Sequence, residues 1–178
     1  MFNRDLFVKI AKINIILLFS VFLFGCGPKK SDTYVSKGKI NLDADKIIAE
    51  IQRQIKLPVT SEASPHVEKG AEMMYNAYKI SDLSVFSDYC ALLPLDASRT
   101  EISVFIYDTG AGKKAAEEAV ENRIRLLESI CEKHDAKRLG LINDRRILRY
   151  DNALIFIITE NDNNNIEKIV DNLAENVI

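Results

Sequence analysis

Six consecutive apolar residues, ALIFII at 153–158, constrain the fold more than any other stretch. Side chains of a strand alternate between its two faces, so an unbroken apolar run presents oily surface on both. Such a strand has to be central in its sheet and covered above and below. The segment before it, RRILRY at 145–150, reads as a partner strand. Asp151-Asn152 then forms a two-residue hairpin link, because both residues tolerate positive φ.

A second strand pair lies upstream. SDLSVFSDYCALL at 81–93 carries the strand formers Val85, Phe86, Tyr89 and Cys90 and stops at Pro94. TEISVFIYD at 100–108 alternates, with Ile102, Val104 and Ile106 on one face and Ser103, Phe105 and Tyr107 on the other. Helical periods fill the remainder. NLDADKIIAEIQRQIKLP at 41–58 repeats Leu42, Ile47, Ile48, Ile51 and Ile55, with Asn41 or Asp43 as cap and Pro58 as stop. SPHVEKGAEMMYNAYKI at 64–80 reads as a shorter helix with Val67, Met74 and Tyr78 as its apolar set. Gly70 weakens that helix by about 1 kcal/mol if it is interior. The clearest helix opens at Gly110 and places Ala116, Val120, Ile124, Leu127 and Cys131 on one stripe. NDNNN at 161–165 is a turn and cap for a last helix carrying Ile166, Ile169, Val170 and Leu173. The expected fold is α+β: a four-stranded, mainly antiparallel sheet with helices packed on it, in the order α-α-β-β-α-β-β-α.

The segment from Met74-Tyr75 to about Thr159 resembles the bacterial domain of unknown function 4358. The features that carry the resemblance are Met74-Tyr75, Ser81-Asp82, the strand Glu101-Ile102-Ser103-Val104-Phe105, and the helix from Ala115-Ala116 through Arg123. Members are mostly short lipoproteins without an established activity, so the resemblance implies a lipoprotein and transfers no catalytic residue. The chain departs from the pattern at Asp151-Asn152, where a Gly-Asn type link is usual. It departs again at His134-Asp135-Ala136, where an aromatic is usual.

The N-terminus agrees with that expectation. The apolar run Ile13–Phe24 would span roughly 18 Å as a helix, against a bilayer core of about 30 Å. Arg4, Lys9 and Lys12 precede it, and Lys29 and Lys30 follow it. A short apolar core behind a basic region is a secretory signal pattern. Leu23-Phe24-Gly25-Cys26 resembles the lipobox of bacterial lipoproteins, although Phe24 is bulkier than the usual occupant. The resemblance implies a signal peptide at 1–25, lipid on Cys26, a tether at 26–39, and one domain at 40–178. The partner so implied is membrane lipid, held through acylated Cys26 on the extracytoplasmic face.

Charge narrows the partners further. The chain has 24 basic and 26 acidic residues, and setting aside Arg4, Lys9, Lys12 and Asp5 leaves 21 and 25 after residue 25. A nucleic-acid partner is not expected from a mildly acidic domain. Lys137, Arg138, Arg145, Arg146 and Arg149 cluster within thirteen residues. They fit either a solvated strand edge or contact with an anionic envelope polymer. No metal-ligand spacing and no phosphate loop is present, so no cofactor is expected. The expectation is a binding or interaction module, not an enzyme, whose partner is an envelope protein or anionic polymer. The alternative is an envelope enzyme using Cys131 and His134, three apart on the long helix, or surface carboxylates. A disulfide between Cys90 and Cys131 stays open, since export permits one.

Overall fold

The computed structural model describes residues 37–95, 99–161 and 163–175. The chain divides into two units, Met1–Tyr34 and Val35–Ile178, and all described residues belong to the second. The expected signal segment 1–25, Cys26 and the tether as far as residue 36 lie outside the described residues.

The sheet has five strands: β1 (Thr60–Ala63), β2 (Asp88–Pro94), β3 (Glu101–Ile106), β4 (Arg146–Arg149) and β5 (Ala153–Ile158). Their spatial order is β1-β2-β3-β5-β4, and every neighbouring pair is antiparallel. Among the described residues five α-helices accompany it, α1 (Ala44–Gln54), α2 (Gly70–Tyr78), α3 (Gly110–His134), α4 (Ala136–Asn143) and α5 (Asn163–Glu175), and Val85, expected in a strand, lies in a 3-10 turn, Leu83–Val85, ahead of β2. The expected four-stranded α-α-β-β-α-β-β-α arrangement is therefore corrected in two places. A strand, β1, lies between the first two helices, and a short helix, α4, follows the long one. β1 reads TSEA, four residues with no apolar alternation, and its partner β2 supplies what the pattern lacks by pairing Thr60 to Pro94 through Ala63 to Ala91.

β5 is buried at all six positions and lies between β3 and β4. Its two faces feed two cores. Ile102, Val104 and Ile106 of β3 join Cys90, Leu92, Ile155 and Ile157 beneath α1 and α5. Phe105, Tyr89, Ala91, Leu154 and Phe156 join Ala116, Val120, Ile124, Leu127 and Cys131 of α3 on the opposite side. Helices thus form a layer on each face. The hairpin between β4 and β5 closes with Tyr150 N–H donating to Ala153 O at 2.8 Å, leaving Asp151-Asn152 as the link. Neither link residue takes positive φ; among the described non-glycine residues that conformation belongs to Lys69 and Lys79. Asn152 serves as a clamp instead: Oδ1 accepts from Ile40 N–H at 2.9 Å and Nδ2 donates to Ile40 O at 2.8 Å.

α2 begins later than its apolar spacing implies. Val67 lies in the preceding turn, and Gly70 is the first helical residue. A Cβ on Gly70 would sit 2.1 Å from Ser64 O, so the glycine is needed for close packing and not for helical freedom.

One polar group lies deep in the α3-side core. Glu101 is 1 % exposed and pairs with Arg123 of α3, whose Nη2 donates to Oε2 at 2.7 Å and Nε to Oε1 at 2.9 Å. Tyr78 donates its hydroxyl hydrogen to Glu101 Oε1 at 2.6 Å and also meets the Ser103 hydroxyl. Burial, and then the Glu101 carboxylate, push the Tyr78 phenol well above its ordinary range, so it stays a donor. Breaking one side of a buried pair leaves an uncompensated charge. Arg123→Leu should therefore lower stability by about 3–5 kcal/mol. The double variant Glu101→Leu/Arg123→Leu should lose less than Arg123→Leu alone. Urea denaturation of the wild type, both single variants and the double variant measures this, and a double-variant loss equal to the sum of the two single losses would show that the two side chains are not energetically coupled.

Candidate functional site

The α1-side face carries a different polar group at its β1 edge. In β2, Asp88, Cys90 and Leu92 alternate onto this face, and Glu62 of β1 stands opposite Leu92, one diagonal step from Cys90. α1 crosses above them. Neither Asn41 nor Asp43 caps this helix through its side chain. Asp88 does so from the sheet, with Oδ2 accepting from Ala44 N–H at 2.7 Å. That bond fixes the first turn of α1 on β2 and puts Asp45, the next residue, over Cys90.

Asp45, Glu62 and Cys90 converge. One ligand atom from each, two carboxylate oxygens and the Cys90 sulfur, lies within 4.8 Å of the others. Cys90 is fully buried, Asp45 half-buried and Glu62 exposed, so the group is a floor of sulfur with oxygens toward solvent. Ser64 donates its hydroxyl to Glu62 Oε1 at 3.2 Å and steadies that carboxylate. His66, on the turn after β1, brings Nε2 to 3.8 Å from Asp45 Oδ2. The other oxygen, Asp45 Oδ1, is buried without a hydrogen bond of its own, while the carboxylate as a whole lies within hydrogen-bonding reach of the Cys90 thiol.

The electrostatics are lopsided. Burial raises the Cys90 thiol far above its ordinary range, and the carboxylates of Glu62, Asp45 and Asp88 raise it further. A thiol so placed is no nucleophile, because the reactive form is the thiolate. The same surroundings favour any positive charge placed among them. The expectation of a domain that is not an enzyme is overturned here: this donor set suits a metal ion or a substrate, and it lies at an accessible edge.

The residues singled out in the sequence fare differently. Cys131 is buried among Leu127, Ile142 and other apolar side chains of the α3-side core, and the His134 side chain lies outside the described residues. Cys90 and Cys131 are both free thiols and belong to cores on opposite faces of the sheet, which settles the disulfide in the negative. Three of the five residues of the basic cluster have acidic partners within the chain. Arg145 meets Glu128 at 3.7 Å, Arg146 meets Glu167 at 3.8 Å, and Lys137 meets Glu160 at 3.8 Å. The convergence of Asp45, Glu62 and Cys90 had no signal in spacing, since the three come from separate elements. Among the described residues, no helix is long and apolar enough to cross a membrane.

No family model, curated protein or solved structure matches this chain.

The reactivity of the thiols is directly measurable. At pH 8.5 an ordinary thiol is about half ionised, whereas Cys90 is held protonated and Cys131 is shielded from reagent. Iodoacetamide at that pH should label neither residue in the native protein and both after denaturation. Rapid labelling of Cys131 in the native state would revive a reactive Cys131.

Proposed function

We propose that this protein is a membrane-anchored, extracytoplasmic lipoprotein domain that binds a divalent cation through Asp45, Glu62 and Cys90. The observation that carries the reading is the convergence of two carboxylates and a buried thiol from α1, β1 and β2 within 4.8 Å. The crowding of the Glu62, Asp45 and Asp88 carboxylates around the buried Cys90 thiol supports it, because a cation would offset that concentration of like charge. A cation supplies the missing positive charge and displaces the Cys90 proton, so that sulfur becomes a ligand. The anchor is supported by the sequence at Leu23-Phe24-Gly25-Cys26 alone.

Each half has its own test. For the site, the full chain is extracted in detergent, stripped with chelator and titrated separately with Zn²⁺, Co²⁺, Mn²⁺ and Ca²⁺. A binding cation at a hundred times its Kd stabilises by about 2.7 kcal/mol. The melting temperature should rise with at least one cation, and Asp45→Asn and Cys90→Ser should abolish the rise. A melting curve indifferent to all four cations removes the reading. For the anchor, Cys26→Ser should move the protein from the membrane fraction to the soluble fraction. A variant that stays with the membrane at unchanged mass contradicts lipid attachment.

A further inference from the structure

We propose that the site takes a borderline-soft transition cation of the zinc class, and that His66 supplies its fourth ligand. This rests on the cation-binding reading above and adds the class of metal and one residue.

The buried donor at the floor of the site is sulfur. Calcium and magnesium sites are built from oxygen, whereas thiolate donors select zinc and its neighbours. Zinc sites draw on Cys, His, Asp and Glu, with bonds of about 2.0–2.3 Å in a tetrahedral arrangement. That geometry places neighbouring ligand atoms about 3.3–3.8 Å apart. His66 Nε2 stands 3.8 Å from Asp45 Oδ2. The distance is long for a hydrogen bond and a few tenths of an ångström beyond the roughly 3.3–3.6 Å that a nitrogen and an oxygen take on one zinc ion. Asp45, Glu62 and Cys90 lie within 4.8 Å of one another and His66 stands just outside that group, so its imidazole has to swing inward to complete a four-ligand figure.

The backbone already holds His66 in place. The turn that carries it is closed by Val67 N–H donating to Ser64 O at 3.2 Å. Ser64 is fully buried, and Gly70 packs against its backbone. Pro65 fixes its own φ ahead of the histidine. What remains free is the imidazole itself, 77 % exposed. Binding would therefore tie the 64–67 turn, the edge strand β1 and the first turn of α1 to one point.

Cobalt makes the geometry visible. Full chain in detergent, titrated with Co²⁺ alone, should develop intense tetrahedral visible bands and a near-ultraviolet sulfur-to-cobalt band. Zn²⁺ should erase both by competition, and millimolar Ca²⁺ or Mg²⁺ should not. In His66→Ala, whose altered side chain is at the surface, Co²⁺ affinity should fall at least about ten- to hundredfold, the loss seen even for outer-shell partners. Its visible bands should weaken while the sulfur band persists. In Cys90→Ser the sulfur band should vanish. If His66→Ala keeps the wild-type affinity and spectrum, the role of His66 is overturned while cation binding stands. If Ca²⁺ or Mg²⁺ competes at equal concentration, the zinc class is overturned. If neither Co²⁺ nor Zn²⁺ binds, the metal class fails, and silence from Mn²⁺ and Ca²⁺ as well removes the underlying reading.

Discussion

A sheet whose middle strands are oily on both sides cannot face water anywhere, and the rest of the domain follows from meeting that demand twice. β3 and β5 are buried at every position. Two helical layers are required, and the chain supplies α1 and α5 on one face and α2, α3 and α4 on the other. The layers are not attached in the same way. α3 is long enough to bury a stripe from Ala116 to Cys131 and needs little help. α1 has eleven residues, and its end is fixed by a carboxylate donated from the sheet, through the Asp88 bond to Ala44 N–H.

The two faces also treat their buried polar atoms differently. On the α3 side, Glu101, Arg123, Tyr78 and Ser103 satisfy one another, so charge is balanced inside the protein. On the α1 side, Asp45, Glu62 and Asp88 surround a neutral thiol, with no cationic group comparable to Arg123 among the described residues there. The first arrangement is complete in itself and reads as structural. The second leaves a concentration of negative charge that a bound cation would offset.

How far the sequence reveals this depends on the range of the interactions involved. The stripe on α3, the alternation in β3 and the continuous burial of β5 are local periodicities, and each appears in the structure where it is expected. β1 was not legible, because TSEA becomes a strand only through β2 and has no pattern of its own. α4 was hidden among charged residues for a related reason: Leu139 and Ile142 gain meaning from the α3-side core they meet. The cluster at Asp45, Glu62 and Cys90 was out of reach altogether. Its members lie on a helix, an edge strand and the next strand inward, and only the register of β1 on β2 and the Asp88 cap bring them together. Cys131 and His134 are near in sequence, but the stripe that Cys131 shares with Ala116, Val120, Ile124 and Leu127 already assigns the thiol to the core, where the structure has it.

The attachment of Lys37–Ile40 has a mechanical meaning. Lys37 N–H donates to Arg149 O at 3.1 Å, and Asp151 N–H donates to Gly38 O at 2.7 Å, so this segment lies along the otherwise open edge of β4. The Lys37 ammonium is held by Glu167 and Asp171 of α5, and Asn152 grips both backbone groups of Ile40. Tension arriving from the residues ahead of Lys37 is thus received by α5 and the β4–β5 hairpin, the far edge of the sheet from β1. A pull at the N-terminal end is therefore taken up first at the β4 rim, and from there it reaches α1 through α5, against which α1 packs.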